Sequence, residues 1–138
     1  MSALSIEIES PPNKATLDAL DQGLDAYNAQ FSPEHFEEFA AALKTEAGEV
    51  KGGISAIVWA EMLFIKWLWI DEAHRRGGQG RALMAAAEAE GIKRGCSTVW
   101  LDTFEFQARP FYEKLGYELF GTLDYPAGFK RFFLKKAL

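Results

Sequence analysis

The chain has 138 residues, of which 49% are hydrophobic and 25% are charged, and its net charge is −5. This composition predicts one folded domain and excludes a disordered chain. A single cysteine, Cys96, excludes an intrachain disulfide, and with two isolated histidines no metal site is expected. The first residues lack a signal-peptide pattern, and the apolar run at 54–70 is short and carries Glu61 and Lys66. We therefore expect a cytoplasmic protein that does not bind a membrane.

The charge is distributed unevenly along the chain. Residues 1–50 hold ten acidic residues and two lysines, a net charge of −8, whereas residues 51–138 hold ten acidic and thirteen basic residues, a net charge of +3. The first part can attract a cation and the second an anion. The basic residues are too few and too scattered for a nucleic-acid surface, so no nucleic-acid partner is expected.

The first third of the chain predicts a strand, a helix and a second strand. Apolar and acidic residues alternate over residues 4–9, as in a half-buried strand. Apolar residues then recur at three- and four-residue steps from Ala15 to Gln30, which predicts an amphipathic helix. Phe39–Thr45 is interpreted as a strand, although its alanines suit a helix equally well.

The middle of the chain predicts paired central strands followed by a helix. Val50–Trp59 and Met62–Ile70 are rich in β-branched and aromatic residues. Gly52 and Gly53 indicate a bulge or a close approach of two backbones. After a glycine-rich loop, the alanine-rich segment Gln79–Arg94 predicts a helix that can lie close to a sheet.

The last third completes a mixed sheet. Ser97–Phe104 is a predicted strand that forms a βαβ unit with the preceding strand and helix, so these two strands should be parallel neighbours. A short helix is predicted at Gln107–Leu115, with Pro110 in its first turn. Strands are predicted at Tyr117–Leu123 and Phe129–Leu134, the latter as an edge that can pair with a second copy in a homodimer. The fold class is therefore single-domain mixed α/β.

The glycine-rich loop at Arg75–Gly80 is the strongest candidate for a binding site. Free backbone N–H groups and the positive end of the following helix can hold a phosphate. The loop lacks the Lys-Ser/Thr ending of nucleotide-hydrolysing proteins, and Leu83 stands where a dinucleotide fold has its third glycine. The loop is therefore interpreted as a diphosphate site with nearby arginines.

Two motifs resemble those of a known family. The pattern R-x-x-G-x-G at Arg75–Gly80, followed by the alanine-rich helix, resembles the acetyl-coenzyme A signature of the GCN5-related N-acetyltransferases (GNAT). Downstream, QARPFYEKLGY at Gln107–Tyr117 is similar to a second conserved segment of that family. Two motifs in the right order are more specific than either alone, and the resemblance covers about residues 70–120.

The resemblance implies an N-acetyltransferase that moves an acetyl group from acetyl-CoA to a primary amine, and the acidic first part favours a small cationic acceptor. It implies a mostly antiparallel sheet in which the central parallel strands Met62–Ile70 and Ser97–Phe104 splay apart around the cofactor. Residues 1–50 would serve the acceptor, residues 51–104 the cofactor, and residues 105–138 would add the C-terminal helix and strands.

The resemblance also assigns site residues. The pantetheine arm is expected to bond to main-chain groups of one strand end, and the pyrophosphate to the loop and helix start. Glu105 stands at a position where many relatives have an asparagine at the cofactor. The expected cofactor-binding residues are Leu68, Trp69, Ile70, Arg75, Arg76, Gly77, Gly78, Gln79, Gly80, Arg81 and Glu105.

Tyr112 is the expected general acid, because a phenol can protonate the departing thiolate. The alternative is a tyrosine that only packs in the core. Glu61 is the expected general base and otherwise a plain turn residue. Glu105 or Asp102 can instead face the amine, or no base is needed.

Three alternatives stay open. The domain can hold an acyl-CoA for sensing without turnover, or it can be an interaction domain whose loop is only a turn. The acceptor can be a small molecule or a peptide amine. The four tryptophans are expected mainly in the core, with the alternative that one or two of them wall the acceptor site: Trp59, Trp67, Trp69 and Trp100.

Overall fold

A computed structural model describes residues 3–32 and 36–138. They divide into two compact units, one on each side of residues 33–35. In the first unit, helix α1 spans Lys14–Asn28, which confirms the predicted helix. No helix within the two described ranges is both long and apolar enough to span a bilayer.

The strand predicted at residues 4–9 is wrong, because residues 3–9 have no regular secondary structure. A strand needs a neighbouring strand for its backbone groups, and residues 3–32 contain no strand. Glu9, one of the alternating acidic residues, instead organises the start of α1. Its carboxylate accepts hydrogen bonds from Asn13 N at 2.9 Å and Thr16 Oγ1 at 2.8 Å, which lower its pKa.

The second unit contains a sheet of six strands in the order β1-β2-β3-β4-β6-β5. All neighbouring strands are antiparallel except β3 and β4, so the predicted mixed α/β fold with one central parallel pair is confirmed. The strands are β1 Glu37–Lys44, β2 Val50–Trp59, β3 Met62–Ile70, β4 Thr98–Phe104, β5 Glu118–Asp124 and β6 Lys130–Ala137. The helices are α2 Gln79–Lys93 and α3 Arg109–Lys114, and Glu72–His74 forms a 3-10 turn.

The predicted edge strand is wrong. β6, which contains most of Phe129–Leu134, lies between β4 and β5, and the edges of the sheet are β5 and β1. Phe132 and Leu134 are buried, so the apolar residues of β6 serve the interior of the sheet. The sequence pattern showed how apolar the strand is but not which strands lie beside it.

One face of the sheet packs against α2 and α3 to form the core. α2 buries Leu83, Met84 and Ala87, and Gly91 lets the helix approach Leu63, since a Cβ at Gly91 would lie 2.7 Å from a Leu63 methyl carbon. The buried strand residues of this face are Ile54, Ala56, Val58, Leu63, Ile65, Val99, Leu101, Phe132 and Leu134.

The central parallel strands part soon after they meet. β3 and β4 pair only at Met62–Thr98, Leu63–Val99 and Phe64–Trp100. Just beyond this point β3 contains a bulge at Lys66, because Ser55 of β2 pairs with Trp67 while Ala56 pairs with Ile65. A bulge bends its strand and increases its twist, so β3 diverges from β4, as the resemblance implied.

The bulge also reverses which face the later side chains of β3 occupy. Leu68 and Ile70 pack against the core, whereas Trp67 is 67% and Trp69 is 55% exposed. The prediction that these two tryptophans are core residues is therefore wrong. One extra residue moves every following side chain to the opposite face of a strand.

Candidate active site

A cavity of about 1140 Å³ lies where β3 and β4 part. β3 from Phe64 onward and the glycine loop form one wall, and β4 and α3 form the other. The lining residues are Phe64, Ile65, Lys66, Trp67, Leu68, Trp69, Ile70, Arg75, Arg76, Gly78, Gln79, Gly80, Arg81, Leu101, Asp102, Thr103, Phe104, Gln107, Ala108, Phe111, Tyr112 and Arg131. Binding pockets commonly have volumes of roughly 300–1000 Å³, so this cavity is large enough for an extended ligand.

The glycine loop presents the positive end of α2 to the cavity. Gly78 caps the helix in the left-handed conformation, with φ +80°. The first N–H groups of a helix have no partner within it, and here they belong to Gln79, Gly80 and Arg81, which line the cavity. The side chain of Arg75 bonds the loop to the end of β3, since its Nε donates a hydrogen bond to the Ile70 carbonyl oxygen at 2.8 Å. The arrangement suits an anion.

The parting of the strands exposes main-chain groups of β3. One edge of β3 bonds to β2 along its length, but its other edge has no β4 partner after Phe64. Backbone groups on this free edge can bond to an extended ligand in the manner of an added strand. The edge residues Leu68 and Trp69 line the cavity.

Tyr112 lies on α3 and lines the cavity although only 8% of it is exposed. Its ring packs edge-on against Phe111 and Tyr117, with centroid distances of 5.1 and 6.0 Å. Burial raises the pKa of its hydroxyl, and the negative charge of Asp102 raises it further. The hydroxyl therefore stays protonated at neutral pH and can donate a proton.

Asp102 and Arg131, which also line the cavity, form an ion pair. The Arg131 guanidinium reaches Asp102 Oδ1 from Nε at 3.1 Å and from Nη2 at 3.0 Å. Sequence reasoning considered Asp102 without selecting it and did not consider Arg131. The available signal was that Asp102 is the one charged residue of the strand TVWLDTF.

The structure brings most of the predicted site residues together. Those that line the cavity are Leu68, Trp69, Ile70, Arg75, Arg76, Gly78, Gln79, Gly80, Arg81 and Tyr112. Gly77 and Glu105 do not line it, and the Glu105 backbone N–H bonds to the Lys130 carbonyl oxygen at 2.8 Å.

Glu61, the predicted general base, is not brought to the cavity. It lies in the turn between β2 and β3 with φ +65°, and its carbonyl oxygen accepts a hydrogen bond from Ser97 N at 2.9 Å. The lining of the cavity begins at Phe64, three residues after Glu61, and the loop follows the far end of β3. At about 3.3 Å per residue, the strand separates Glu61 from that loop by roughly 25 Å. Glu61 lies in a turn and does not line the cavity, so we do not propose it as the base.

Comparison with known proteins shows which family the chain belongs to. The family profile described as "Acetyltransferase (GNAT) family" matches residues 5–117. A blasticidin-S acetyltransferase of Streptomyces morookaense is 36% identical over 104 residues, which are 74% of this chain and 76% of that protein. An acetyltransferase of Agrobacterium fabrum is 31% identical over 106 residues, 76% of this chain and 77% of that protein.

A solved structure shares the fold. The crystal structure of an acetyltransferase from Bacillus cereus has a TM-score of 0.86 and 30% sequence identity, and the likeness covers 98% of both chains. The extent of the profile match and the identity to these relatives show the family. The chain belongs to the GNAT family of acetyltransferases.

Proposed function

We propose that the protein transfers the acetyl group of acetyl-CoA directly to the primary amine of a small cationic acceptor. The observation that carries this proposal is the parting of β3 and β4 after three residue pairs, which opens a cavity with an anion-binding loop at its rim and a buried tyrosine in its wall. The loop can hold the charged part of a ligand, and the tyrosine can then meet the reacting group of the same ligand.

The cavity residues fit acetyl-CoA. The N–H groups at the start of α2 would hold the pyrophosphate, with Arg76 and Arg81 as countercharges. The free edge of β3 would bond to the amide groups of the pantetheine arm. Bound there, acetyl-CoA supplies a thioester whose carbonyl carbon accepts a nucleophile.

Tyr112 is proposed as the general acid. The amine must first lose a proton to solvent so that its nitrogen has a free electron pair. As the nitrogen bonds to the carbonyl carbon and the carbon–sulfur bond breaks, the electron pair of that bond goes to sulfur. Tyr112 donates its proton to this sulfur and regains one from solvent, while the nitrogen of the new amide releases its extra proton to solvent. The products are an N-acetylated acceptor and coenzyme A.

The acceptor class is proposed from charge and from one relative. Residues 1–50 carry a net charge of −8, which favours a cation. A protein that is 36% identical over 104 residues is named for acetylation of blasticidin S, an amine-bearing small molecule. Blasticidin S is therefore the first acceptor to test.

The test measures release of the coenzyme A thiol from acetyl-CoA in the presence of amines. The panel contains blasticidin S, an aminoglycoside, 1,4-diaminobutane and free lysine. We expect at least one amine to accelerate thiol release far above the rate without amine, and mass spectrometry to show one added acetyl group on that amine.

The main alternative is an acyl-CoA-binding domain without turnover. Calorimetry with coenzyme A separates the two functions. Heat of binding combined with no thiol release for any amine would favour the binding domain, whereas the absence of both would exclude the two functions together.

A further inference from the structure

Among the residues that the structure describes, Asp102 has a partner at only one of its two carboxylate oxygens. Both contacts from Arg131 are to Oδ1. Within residues 3–32 and 36–138, no group bonds to Oδ2. The side chain is only 19% exposed and lines the cavity. A partly buried carboxylate oxygen without a partner is suited to a ligand that donates hydrogen bonds.

Asp102 and Tyr112 reach the same cavity from opposite faces of the sheet. The neighbours of Asp102 in β4, Leu101 and Thr103, are buried on the face covered by α2 and α3, so Asp102 points to the other face. Tyr112 belongs to α3. Both residues line the cavity, and the charge of Asp102 adds to the effect of burial in raising the pKa of Tyr112.

Arg131 is itself held in place from several sides. Its guanidinium lies 5.4 Å from the ring centre of Phe104 and 5.3 Å from that of Phe133, and its Nη1 lies 3.4 Å from the Tyr125 hydroxyl oxygen. Phe104 also packs edge-on against Tyr125, with a centroid distance of 5.6 Å. An arginine held in this way fixes the carboxylate that it binds.

We propose, on the basis of the proposed function, that Asp102 binds the reacting amino group of the acceptor through Oδ2 and that Arg131 is the positioning residue that aims this oxygen. The amino group enters from the face of Asp102, and the thioester lies between it and Tyr112. One N–H of the amine bonds to Oδ2, which leaves the electron pair of the nitrogen directed at the carbonyl carbon.

The same face offers contacts for the rest of the acceptor. After the bulge at Lys66, Trp67 and Trp69 point to the face opposite Leu68 and Ile70, and both line the cavity. Tryptophan rings bind apolar frames and attract cations. The acceptor chemistry that fits is an ammonium group attached to an apolar or flat frame.

The test compares Asp102→Asn with Asp124→Asn. Asp124 is a matched control because it also pairs with a cation of β6, Lys130 at 3.6 Å, but it is outside the cavity. With blasticidin S and 1,4-diaminobutane as probes, we expect Asp102→Asn to raise the acceptor KM at least tenfold. The Kd of coenzyme A, measured by calorimetry, should stay within a factor of two. Asp124→Asn should change neither value.

Arg131→Gln tests the positioning role. It leaves the carboxylate in place but removes the group that orients it, so the acceptor KM should rise less than in Asp102→Asn while the Kd of coenzyme A is unchanged. If Asp102→Asn does not fold, Asp102→Glu replaces it, and the displaced carboxylate must still raise the acceptor KM.

The outcomes separate this inference from the proposed function. If the wild-type protein acetylates no amine, both fail. If the wild type is active and Asp102→Asn, or Asp102→Glu in its place, has the same acceptor KM as Asp124→Asn, the proposed function stands and the role of Asp102 is rejected. An unchanged acceptor KM in Arg131→Gln, with a raised one in Asp102→Asn, rejects the positioning role alone.

Discussion

Tyr112 and Tyr117 are neighbouring buried tyrosines with different surroundings. Tyr112 lines the cavity, whereas the Tyr117 hydroxyl donates to Glu88 Oε2 at 2.7 Å. Glu88 also accepts from Lys136 at 2.8 Å. Burial raises the pKa of both tyrosines, so each stays protonated at neutral pH. Only Tyr112 can reach a ligand in the cavity.

Replacing each of these tyrosines by phenylalanine should affect a different property, the reaction rate for Tyr112 and the stability of the fold for Tyr117. Tyr112→Phe removes the proposed proton donor, so kcat for thiol release should fall more than tenfold while the Kd of coenzyme A changes less than twofold. Tyr117→Phe is the control. It removes a hydrogen bond to a carboxylate, so the free energy of unfolding should fall by roughly 1.5–3 kcal/mol with kcat unchanged. A Tyr112→Phe variant with wild-type kcat would show that the phenol is not the acid.

At the scale of one element, the start of α2 depends on a glycine in the left-handed conformation. Gly78 has φ +80°, and a Cβ added to it would have no heavy atom within 4 Å, so a side chain there meets backbone strain rather than a clash. Gly48, in the turn between β1 and β2, has φ +86° and equally open surroundings. The two glycines form a matched pair, one at the cavity and one remote from it.

Gly78→Ala should weaken the binding of coenzyme A, because strain of about 1–2 kcal/mol in the left-handed region disturbs the N–H groups of the loop. Calorimetry should show a Kd raised at least fivefold. Gly48→Ala carries the same strain and should lower the melting temperature without changing this Kd. Equal Kd values in the two variants would mean that the loop conformation does not contribute to binding.

The packing of α2 on β3 gives a second prediction for an element. Gly91→Ala would place a methyl group against Leu63, a fully buried residue, and overpacking of this kind costs about 1–3 kcal/mol, which the gain in helix propensity of up to about 1 kcal/mol offsets only in part. Gly23→Ala in α1 meets nothing within 4 Å, so the gain in helix propensity should stabilise by up to about 1 kcal/mol. Urea unfolding should show opposite signs for the two variants. A stabilised Gly91→Ala would show that Leu63 moves aside without cost.

At the scale of the whole molecule, the charge is divided between an acidic beginning and a basic remainder, −8 for residues 1–50 and +3 for residues 51–138. If the acidic part attracts the acceptor, salt should weaken this attraction, since the screening length falls from about 30 Å at 0.01 M to about 10 Å at 0.1 M salt. The acceptor KM should therefore rise several-fold over this range. The rise should be steeper for 1,4-diaminobutane, with two cationic groups, than for n-butylamine, with one. Equal slopes would show that the charge asymmetry does not act on the acceptor.

Local patterns were sufficient for most of the elements of the sheet unit and for the cofactor side of the site. β2, β3 and α2 match their predicted positions because β-branched and aromatic residues favour strands, alanines favour a helix, and turn residues bound each segment. The glycine loop was found for the same reason, since neighbouring residues supply all of its N–H groups. Tyr112 was identified through a motif that forms one short helix.

The sequence by itself therefore determined the α/β pattern, the loop and the tyrosine. Only the tertiary structure decided features that depend on partners far along the chain: β6 inside the sheet, the bulge at Lys66, and Asp102 beside Arg131. The two residues of that ion pair come from strands separated by α3 and β5. Glu61 and Asp102 looked alike as candidate carboxylates, and pairing between distant strands left one in a turn and brought the other to the cavity. Strand register is a long-range property, which explains why no local pattern contained it.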